Sequence, residues 1–343
     1  MNVTDNSLIE PEYSMRIGEI VETALLGLIC VVGTLGNLLV VVAVLTTPAL
    51  QVRQNVFIFL LAITDLVTAA ILTPCFMLCL VNGGWPYGEN ACIFIGYLTI
   101  LSVAMSGLTV NCIAVCRYVT VAYTNPLRRK VMHGRVVLSA STSLLVMAIV
   151  AVLLPIFGIG DVGFNELLGH CSLRYSDPHE WYYCAALITF GFTATFVIVP
   201  TCYGLIFCKV RKSRRSIESM SLASRTTPTS SVEHSTKQSN KSNNKSATNH
   251  NPQRSMSRYE VKLSKKLFAL FSLFVLCWIP YTATVLADKH STVPLQVHRA
   301  TNFFIWINPC INPFLYAWMI QTYRKSYERL FSYILCREQP FCQ

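Results

Sequence analysis

The sequence has little charge and lacks the motifs of a soluble metalloprotein. Only 13% of its 343 residues are Asp, Glu, Lys or Arg, whereas soluble domains carry about 25%. Hydrophobic residues make up 53% of the chain, and the mean hydropathy is +0.46. The 14 cysteines form no CxxC pair and no Cys/His cluster with zinc spacing, so most are expected to be small buried hydrophobes. These absences exclude an ordinary soluble domain and indicate a membrane protein.

Two further features of the sequence restrict the kind of protein it can encode. The net charge is +11, but the basic residues lie between apolar stretches and not on one soluble domain, so no nucleic-acid partner is expected. The N-terminal residues do not combine a basic segment with a short apolar core and a cleavage site. We therefore expect no removable signal peptide, and the first apolar span would act as a signal anchor.

Seven apolar runs are each long enough to cross a membrane as a helix. They cover 18–45, 56–81, 91–121, 135–158, 182–209, 264–287 and 297–319. The predicted fold is an all-α membrane protein, a seven-transmembrane helix bundle over 18–319 preceded by an outer N-terminal segment, 1–17. Residues 210–260 are rich in Ser, Asn, Thr, Lys and Arg and are predicted to be a disordered third inner loop.

The positions of the basic residues predict the orientation. With the N-terminus outside, four basic residues face outward, and the other 24 of the 28 face the cytosol. The outward four are Arg16, Arg174, Lys289 and Arg299. This arrangement predicts a multi-pass plasma-membrane protein with a cytoplasmic C-terminus, and it exposes the Asn2 sequon to glycosylation.

A short helix is predicted after the last span, within 320–343. Thr322–Tyr333 places aromatic and apolar residues at helical spacing with basic residues between them, as in a helix lying on the membrane surface among lipids. Cys336 follows this stretch and is a candidate for acylation, the alternative being a free thiol.

The third span is expected to be the centre of the bundle. Between Cys92 and Arg117 it has no charged residue, and small residues recur along it, so other helices can pack closely around it. Its length as a helix exceeds the ~30 Å hydrocarbon layer. We expect it to be anchored outside at Cys92 and to carry a functional charge inside at Arg117.

Asp65 is the one acidic residue in the middle of an apolar span. A carboxylate there must face the bundle interior and have partners. Ser106, Asn308 and Asn312 are also mid-span and offer oxygen atoms to a hard cation, so an allosteric sodium ion is a candidate occupant. The alternative is a protonated aspartic acid in a polar network.

Prolines interrupt the last two spans. Trp278 lies just before Pro280, and Asn308-Pro309 is followed closely by Asn312-Pro313. Such positions are hinges or site linings in membrane proteins. A transporter also uses broken helices, but transporters usually have several intramembrane charges and an internal repeat, which this sequence does not show.

Taken in order, these motifs resemble the rhodopsin-like (class A) G-protein-coupled receptors over about 18–335. Nearly every span contains one motif, and the ordered set of motifs is far more specific to this family than any single motif. The matching residues are Gly36-Asn37, Leu61-Ala62 with Asp65, Cys92, Arg117-Tyr118, Pro200, Phe274 with Cys277-Trp278 and Pro280, and Asn312-Pro313 with Tyr316. The general pattern is loosely similar to the melatonin receptors and invertebrate orphan receptors.

The resemblance implies roles for individual residues. Cys92 would form a disulfide with Cys171. Asp65, Ser106, Asn308, Asn312 and Trp278 would form the sodium site. G-protein coupling and the conformational switch would involve Arg117, Tyr118, Glu260, Phe274, Trp278, Pro280, Asn312, Pro313 and Tyr316.

The sequence departs from the family pattern at the inner face. Cys116 stands where an acid usually precedes the arginine, and Cys208 replaces a usual tyrosine in span five. Arg117 therefore lacks an adjacent carboxylate, and Glu260 is the remaining candidate partner. We hypothesise appreciable signalling without ligand.

The resemblance also limits the ligand. Trp306 occupies the position of the lysine that links retinal in photoreceptors, and Thr99 occupies that of the aspartate in amine receptors. The expected ligand is thus a small molecule or peptide, neither light-absorbing retinal nor a biogenic amine. Aromatic, mostly uncharged walls suit an apolar or moderately polar ligand. The expected pocket residues are Thr99, Trp278, Tyr281, Phe303 and Trp306, although some could serve only core packing.

The sequence therefore predicts a receptor and not an enzyme. Its expected partners are an extracellular ligand, a heterotrimeric G protein and, through Ser and Thr in the third inner loop, arrestin and receptor kinases. No cofactor is expected beyond a possible sodium ion. The alternative function is a membrane transporter or channel.

Overall fold

The computed structural model describes residues 9–335 except 124–129, 131–132, 176, 224–251 and 291. Within this part, seven long helices form a bundle and an eighth, shorter helix follows it. They are α1 (Ile9–Thr46), α2 (Val56–Asn82), α3 (Glu89–Ala122), α4 (Gly134–Leu153), α5 (Pro178–Ala223), α6 (Pro252–Ala287), α7 (Leu295–Met319) and α8 (Gln321–Leu335). The predicted Asn2 and Cys336 sites lie outside the described residues.

Most of these helices are apolar and long enough to cross a membrane. Five helices of the described part of the chain are each long and apolar enough to do so: Ile17–Thr46, Val56–Asn82, Glu89–Ala122, Gly134–Phe157 and Pro178–Lys212. The apolar part of α6 is shorter, Phe271–Ala287, and α7 and α8 are sufficiently long and apolar when taken together. Each of the seven predicted spans overlaps one of these helices; several helices extend beyond the apolar residues, whereas α4 ends at Leu153, before the predicted residue 158.

Helix α3 is the centre of the bundle, as its small residues predict. It packs against α2, α4, α5 and α6 and against both strands of an outer hairpin. The buried residues of α3 run from Cys92 to Ala122 along its length, so both its outer and its inner end lie inside the protein. Residues on α3 can therefore contact the outer hairpin at one end and the inner face at the other.

Helix α2 is not uniform. Residues Thr68–Leu72 form a wider π-helical turn, and the α-helix resumes at Thr73. Pro74 has no N–H, and its ring excludes the carbonyl four residues earlier from the usual position. The wider turn accommodates the proline, and the Thr73 hydroxyl donates to the Thr68 carbonyl at 2.9 Å. The π-helical turn begins at Thr68, three residues after the buried Asp65.

The prediction of disorder over 210–260 is wrong at both ends of that range. Helix α5 continues to Ala223, and α6 begins at Pro252, while 224–251 lies outside the described residues. Extending an existing helix is far easier than nucleating a new one. Lys, Arg, Glu and Met are also good helix formers, so polar composition by itself did not end α5.

The outer hairpin pairs β1 (Asp161–Asn165) with β2 (His170–Arg174) in antiparallel register. The disulfide expected from the family resemblance is present: Cys92 at the start of α3 bonds Cys171 on β2, with Cα atoms 5.3 Å apart. A Cβ on Gly96 would lie 2.5 Å from a Val162 methyl carbon. The hairpin therefore lies directly on α3, and glycine permits this close approach.

Helix α8 follows α7 with a bend of 98° between Leu295–Trp318 and Gln321–Tyr333. The predicted helix after the last span is thus present. Tyr323 and Tyr327 on its inner side are buried, whereas Phe331 and Tyr333 are exposed. The Ser326 hydroxyl lies 2.7 Å from that of Thr47 at the end of α1, which holds α8 against the bundle.

Candidate functional site

Asp65 lies in the bundle interior with 1% of its surface exposed. The Asn312 side-chain amide donates a hydrogen bond to its carboxylate at 2.6 Å, so the structure brings two of the expected sodium-site residues together. Asn308 lies one turn from Asn312 on α7 and is buried, as are Ser106 and Trp278. The Asp65–Asn312 hydrogen bond joins α2 to α7. The other three expected residues of the sodium site are buried in the same helix bundle.

The prolines of α7 supply a further link. Pro313 has no N–H, so the Pro309 carbonyl four residues earlier has no helical donor. The Asn37 amide donates to that carbonyl at 2.9 Å and to the Gly33 carbonyl at the same distance. A Cβ on Gly36 would lie 2.9 Å from the Pro313 ring. Helix α1 therefore approaches α7 closely at Pro309, whose carbonyl lacks a hydrogen bond within α7.

Aromatic side chains form a column along α6. The Trp278 ring lies 5.9 Å from Phe274, 6.1 Å from Phe192 and 6.3 Å from Tyr281, measured between ring centroids. Nearer the inner end, Phe268 is 6.2 Å from Phe271 and 5.7 Å from Tyr203, also between ring centroids. These residues, Phe268 excepted, belong to or pack against one buried cluster.

Arg117 lies at the inner end of α3 and is buried, with 7% of its surface exposed. Burial raises the pKa of Tyr323 above its usual value, and the Arg117 guanidinium acts in the opposite direction, which places the cation within electrostatic range of α8. The same guanidinium lies within electrostatic range of Tyr203 on α5. The Glu260 side chain lies outside the described residues, so the expected ion pair stays a prediction.

Tyr203 is a residue that the sequence analysis missed. The family's usual tyrosine position holds Cys208, which is exposed. Tyr203, with 2% of its surface exposed, instead brings a phenol from α5 towards Arg117. Its position three residues after the helix proline Pro200 was the available signal.

A tyrosine stack lies beside Arg117. The Tyr316 ring stacks on Tyr323 at 5.5 Å, and Tyr327 meets Tyr323 edge to face at 6.2 Å, between ring centroids. Among the described residues, none of these three hydroxyls has a hydrogen-bond partner. Tyr118 contacts Tyr123 at 5.8 Å and is not part of this stack.

The five expected pocket residues divide into two groups. Thr99 and Trp306 line a site between α2, α3, α7 and β2, and Phe303 packs in the same outer cluster as Trp306. Trp278 and Tyr281 lie with the α6 column, 6.3 Å apart. Thr99, Phe303 and Trp306 thus lie in the outer part of the bundle and Trp278 and Tyr281 along α6, and a ligand pocket shared by all five stays a prediction.

The hairpin accounts for this division. Side chains from both strands fill the outer interior between α3, α5 and α6. The buried members of this cluster are Val162, Leu168, Leu173, Tyr175, Tyr183, Cys184 and Val285, with Tyr281 packed against them. Much of the region expected to hold a ligand is thus occupied by the protein itself.

A buried polar clamp joins the outer ends of α6 and α7, and the sequence analysis did not foresee it. His298 Nε2 donates to the Asp288 carboxylate at 2.7 Å, and both side chains are fully buried. The other ring nitrogen of His298, Nδ1, lies within hydrogen-bond distance of the Tyr175 hydroxyl, at 3.3 Å. A histidine near the start of an otherwise apolar span was the only sequence signal.

The clamp carboxylate is ionised. Burial by itself would raise the pKa of Asp288, but hydrogen bonds from His298 and from the backbone N–H groups of Val293 and Thr292 outweigh it and hold the pKa below its usual value. The Asp288 carboxylate therefore stays charged at neutral pH, and the clamp holds the loop after α6 against α7.

Comparison with known proteins identifies the class. The family described as "7 transmembrane receptor (rhodopsin family)" matches residues 36–316, which is well over half of the chain. The chain belongs to this family. Squid rhodopsin shares its fold, with a TM-score of 0.75, 21% identity and coverage of 95% of this chain and 89% of that chain.

Curated relatives lie in several receptor groups. The receptor moody of Drosophila melanogaster is 26% identical over 88% of this chain, and this chain spans about half of its length, 49%. Human 5-hydroxytryptamine receptor 4 is 27% identical over 98% of this chain and 84% of its own length. Zebrafish (Danio rerio) melatonin receptor type 1B-B is 26% identical over 88% of this chain and 78% of its own length.

Proposed function

We propose that this protein is a plasma-membrane receptor that transmits the binding of an extracellular ligand to a heterotrimeric G protein. The observation that carries the proposal is the buried Arg117 at the inner end of α3, placed among tyrosines of α5 and α8. A cation buried at one end of a membrane bundle is costly unless it has a function or partners. The α6 aromatic column leads from the outer half towards it.

The orientation is proposed with the N-terminus outside. The Cys92–Cys171 disulfide lies at one end of the bundle, and disulfides persist on the oxidising side of a membrane. Along the sequence, most lysines and arginines fall in the segments that follow the opposite ends of the spans, as expected of a cytoplasmic face. Asn2 would then be available for glycosylation and Cys336 for acylation.

The ligand class is proposed from the site and the relatives together. Thr99 and Trp306 contribute no charge, which supports an apolar or moderately polar ligand and argues against an ammonium partner at Thr99. Relatives include proteins named as melatonin and 5-hydroxytryptamine receptors. We propose a small molecule or peptide, with arrestin and receptor kinases as further inner partners through Ser and Thr of the third inner loop.

Nucleotide exchange tests the function directly. The purified receptor in nanodiscs is mixed with purified heterotrimeric G proteins of each class, and GTP-analogue uptake is compared with empty nanodiscs. We expect at least one G protein to exchange faster with the receptor, and a ligand library to increase that rate. Solute or ion flux through receptor vesicles, with no effect on exchange, would instead support a transporter or channel.

Asp65 is proposed to hold a sodium ion together with Asn312. Carboxylate and amide oxygens suit a hard cation, and a ligand that binds only one state stabilises that state. We expect sodium to raise the Tm of the wild-type receptor relative to potassium at equal ionic strength. Asp65→Asn should remove the difference, because it removes the charge at the site.

Asp177→Asn is the matched control for this measurement. Asp177 is exposed, and its carboxylate accepts from the His179 backbone N–H at 2.8 Å, a role that asparagine can fill. This variant should keep the full sodium effect. A sodium-dependent Tm that survives Asp65→Asn would place the ion elsewhere.

A further inference from the structure

Two free thiols lie beside the outer disulfide. Cys75 and Cys79 are on the outer part of α2, four residues apart and therefore on one face of the helix. Both line one narrow space together with Cys171 of β2, and the outer part of α2 packs against β2. The disulfide between α3 and β2 thus has free thiols of a third element next to it.

Cys79 directly contacts one residue of this disulfide. Its thiol forms a hydrogen bond with the Cys171 backbone, so the Cys79 sulfur lies beside the residue that carries one of the two bonded sulfurs. Cys75 lies one turn further from the outer end of α2. Cys79 is therefore the thiol that is placed to reach Cys171.

Burial separates the disulfide from small molecules in solution. Cys79, Cys92 and Cys171 are 2%, 2% and 1% exposed, and the space beside Cys171 has no room for a water molecule. A soluble thiol such as glutathione is much larger than water and cannot approach the bond through this space. A thiol that attacks the bond from this side must belong to the protein itself.

The position of Cys79 distinguishes it from the other buried cysteines. A buried cysteine is usually only a small apolar side chain, and Cys184, which lies in the apolar cluster beside the hairpin, is an example. Cys79 instead has a disulfide for a neighbour, and disulfides are exchanged by attack of a thiolate on one of their sulfurs. The arrangement therefore brings a nucleophile and its electrophile together.

We propose that Cys79 is a second disulfide partner of Cys171 and replaces Cys92 by thiol–disulfide exchange. Cys79 gives up its proton, and its sulfur attacks Sγ of Cys171. The Cys79–Cys171 bond forms as the Cys92–Cys171 bond breaks, and Cys92 leaves as a thiolate that takes up a proton. One disulfide replaces another, so the step needs no oxidant or reductant.

The exchange changes which helix holds the hairpin. Strand β2 is tied to α3 before the exchange and to α2 after it, which releases the outer end of α3. The two bonds close chain segments of similar length, so the chain-entropy model assigns them similar stabilisation. The close packing of Val162 on Gly96 favours the Cys92 bond, and the Cys79 bond is the minor form.

Disulfide mapping tests the exchange. The full-length wild-type receptor in nanodiscs is kept at pH 8.5 without added thiol, because exchange requires a thiolate. The sample is then quenched with acid, free thiols are alkylated at low pH, and linked peptides are quantified by mass spectrometry. We expect a Cys79–Cys171 peptide together with alkylated Cys92, and Cys79→Ser should give neither product.

Cys75→Ser is the matched control. It removes the free thiol on the same face of α2 and should leave both products at the wild-type level. Cys92→Ala, expressed through the oxidising secretory pathway, tests the reach of Cys79 separately from the exchange. At least tenfold more of its Cys171 should be linked to Cys79 than in the wild type, and its Tm should exceed that of Cys92→Ala with Cys79→Ser, which cannot form the bond.

Three results would overturn the proposal. A free Cys171 thiol in folded Cys92→Ala would mean that Cys79 is out of reach. Linkage of Cys79 to Cys171 in Cys92→Ala but never in the wild type would mean that no exchange occurs while Cys92 is present. Linkage to Cys75 in place of Cys79 would refute the assignment. If Cys92→Ala does not fold, the wild-type mapping decides by itself. These readouts involve no ligand and no G protein, so they are independent of the receptor function.

Discussion

Arg117→Ala is expected to reduce G-protein nucleotide exchange at least tenfold while leaving ligand-pocket properties intact. The guanidinium is buried at the inner end of α3, far along the helix from the Cys92 disulfide and the outer hairpin. Its removal deletes a cation that lies within electrostatic range of Tyr203 and Tyr323, without changing the outer half of the bundle. The measurement is GTP-analogue uptake at matched receptor concentration, with the Tm of the receptor by itself as the test of an intact bundle.

Arg135→Ala is the control for this loss. Arg135 is an exposed arginine near the start of α4, so its replacement removes an equal inner charge without opening the bundle. We expect this variant to retain most of the exchange activity. If both arginine variants lost activity equally, general inner charge would explain the effect and Arg117 would have no special role.

The resting state can be tested at the same position. Cys116 is buried beside Arg117 and offers no carboxylate. Cys116→Asp should therefore lower exchange in the absence of ligand, and Glu260→Ala should raise it. A net contribution of about 1 kcal/mol, the attraction between the charges less the cost of burying them, corresponds to about a fivefold shift between two states. If neither variant changes the basal rate, packing holds the resting state, for which the tyrosine stack of Tyr316 and Tyr323 is the candidate.

Loss of the Cys92–Cys171 disulfide is expected to have the largest effect on stability. The bond closes a chain segment with a sequence separation of 79 residues, and the chain-entropy model assigns about 4 kcal/mol to a loop of that length. The Cys171→Ala variant should therefore show a Tm lower by about 5–10 °C. Loss of the bond should also loosen the turn of the hairpin, because His170, the first residue of β2, directly precedes Cys171.

Two further variants distinguish the loss of the disulfide from the loss of a thiol. Cys92→Ala with Cys171→Ala should resemble Cys171→Ala, since both lack the same bond. Cys208→Ala removes an exposed thiol at the inner side and should leave the Tm unchanged. A double variant as stable as the wild type would show that packing of the hairpin on α3, at Gly96 and Val162, is sufficient by itself.

The spans and the intramembrane motifs follow from the sequence by itself. Hydropathy over 20 or so residues is a local property, and a helix in lipid satisfies its backbone without help from other segments. This is why the positions of the helices and of Asp65 and Arg117 were readable in advance. The same local argument failed over 210–260, because helix propagation at the ends of α5 and α6 does not require apolar residues.

Contacts between distant segments required the tertiary structure. The Asp288–His298–Tyr175 clamp joins three separate segments, and Tyr203 reaches the region of Arg117 from a different helix. The contacts of the His170 ring on β2 with Phe76 and Trp306 depend on where the hairpin lies on α3 and on how closely α2 approaches α7. The sequence determined which residues are apolar, small or charged and where each helix runs. The packing of those helices decided which side chains meet, because such contacts depend on crossing angles and close approaches that no single segment encodes.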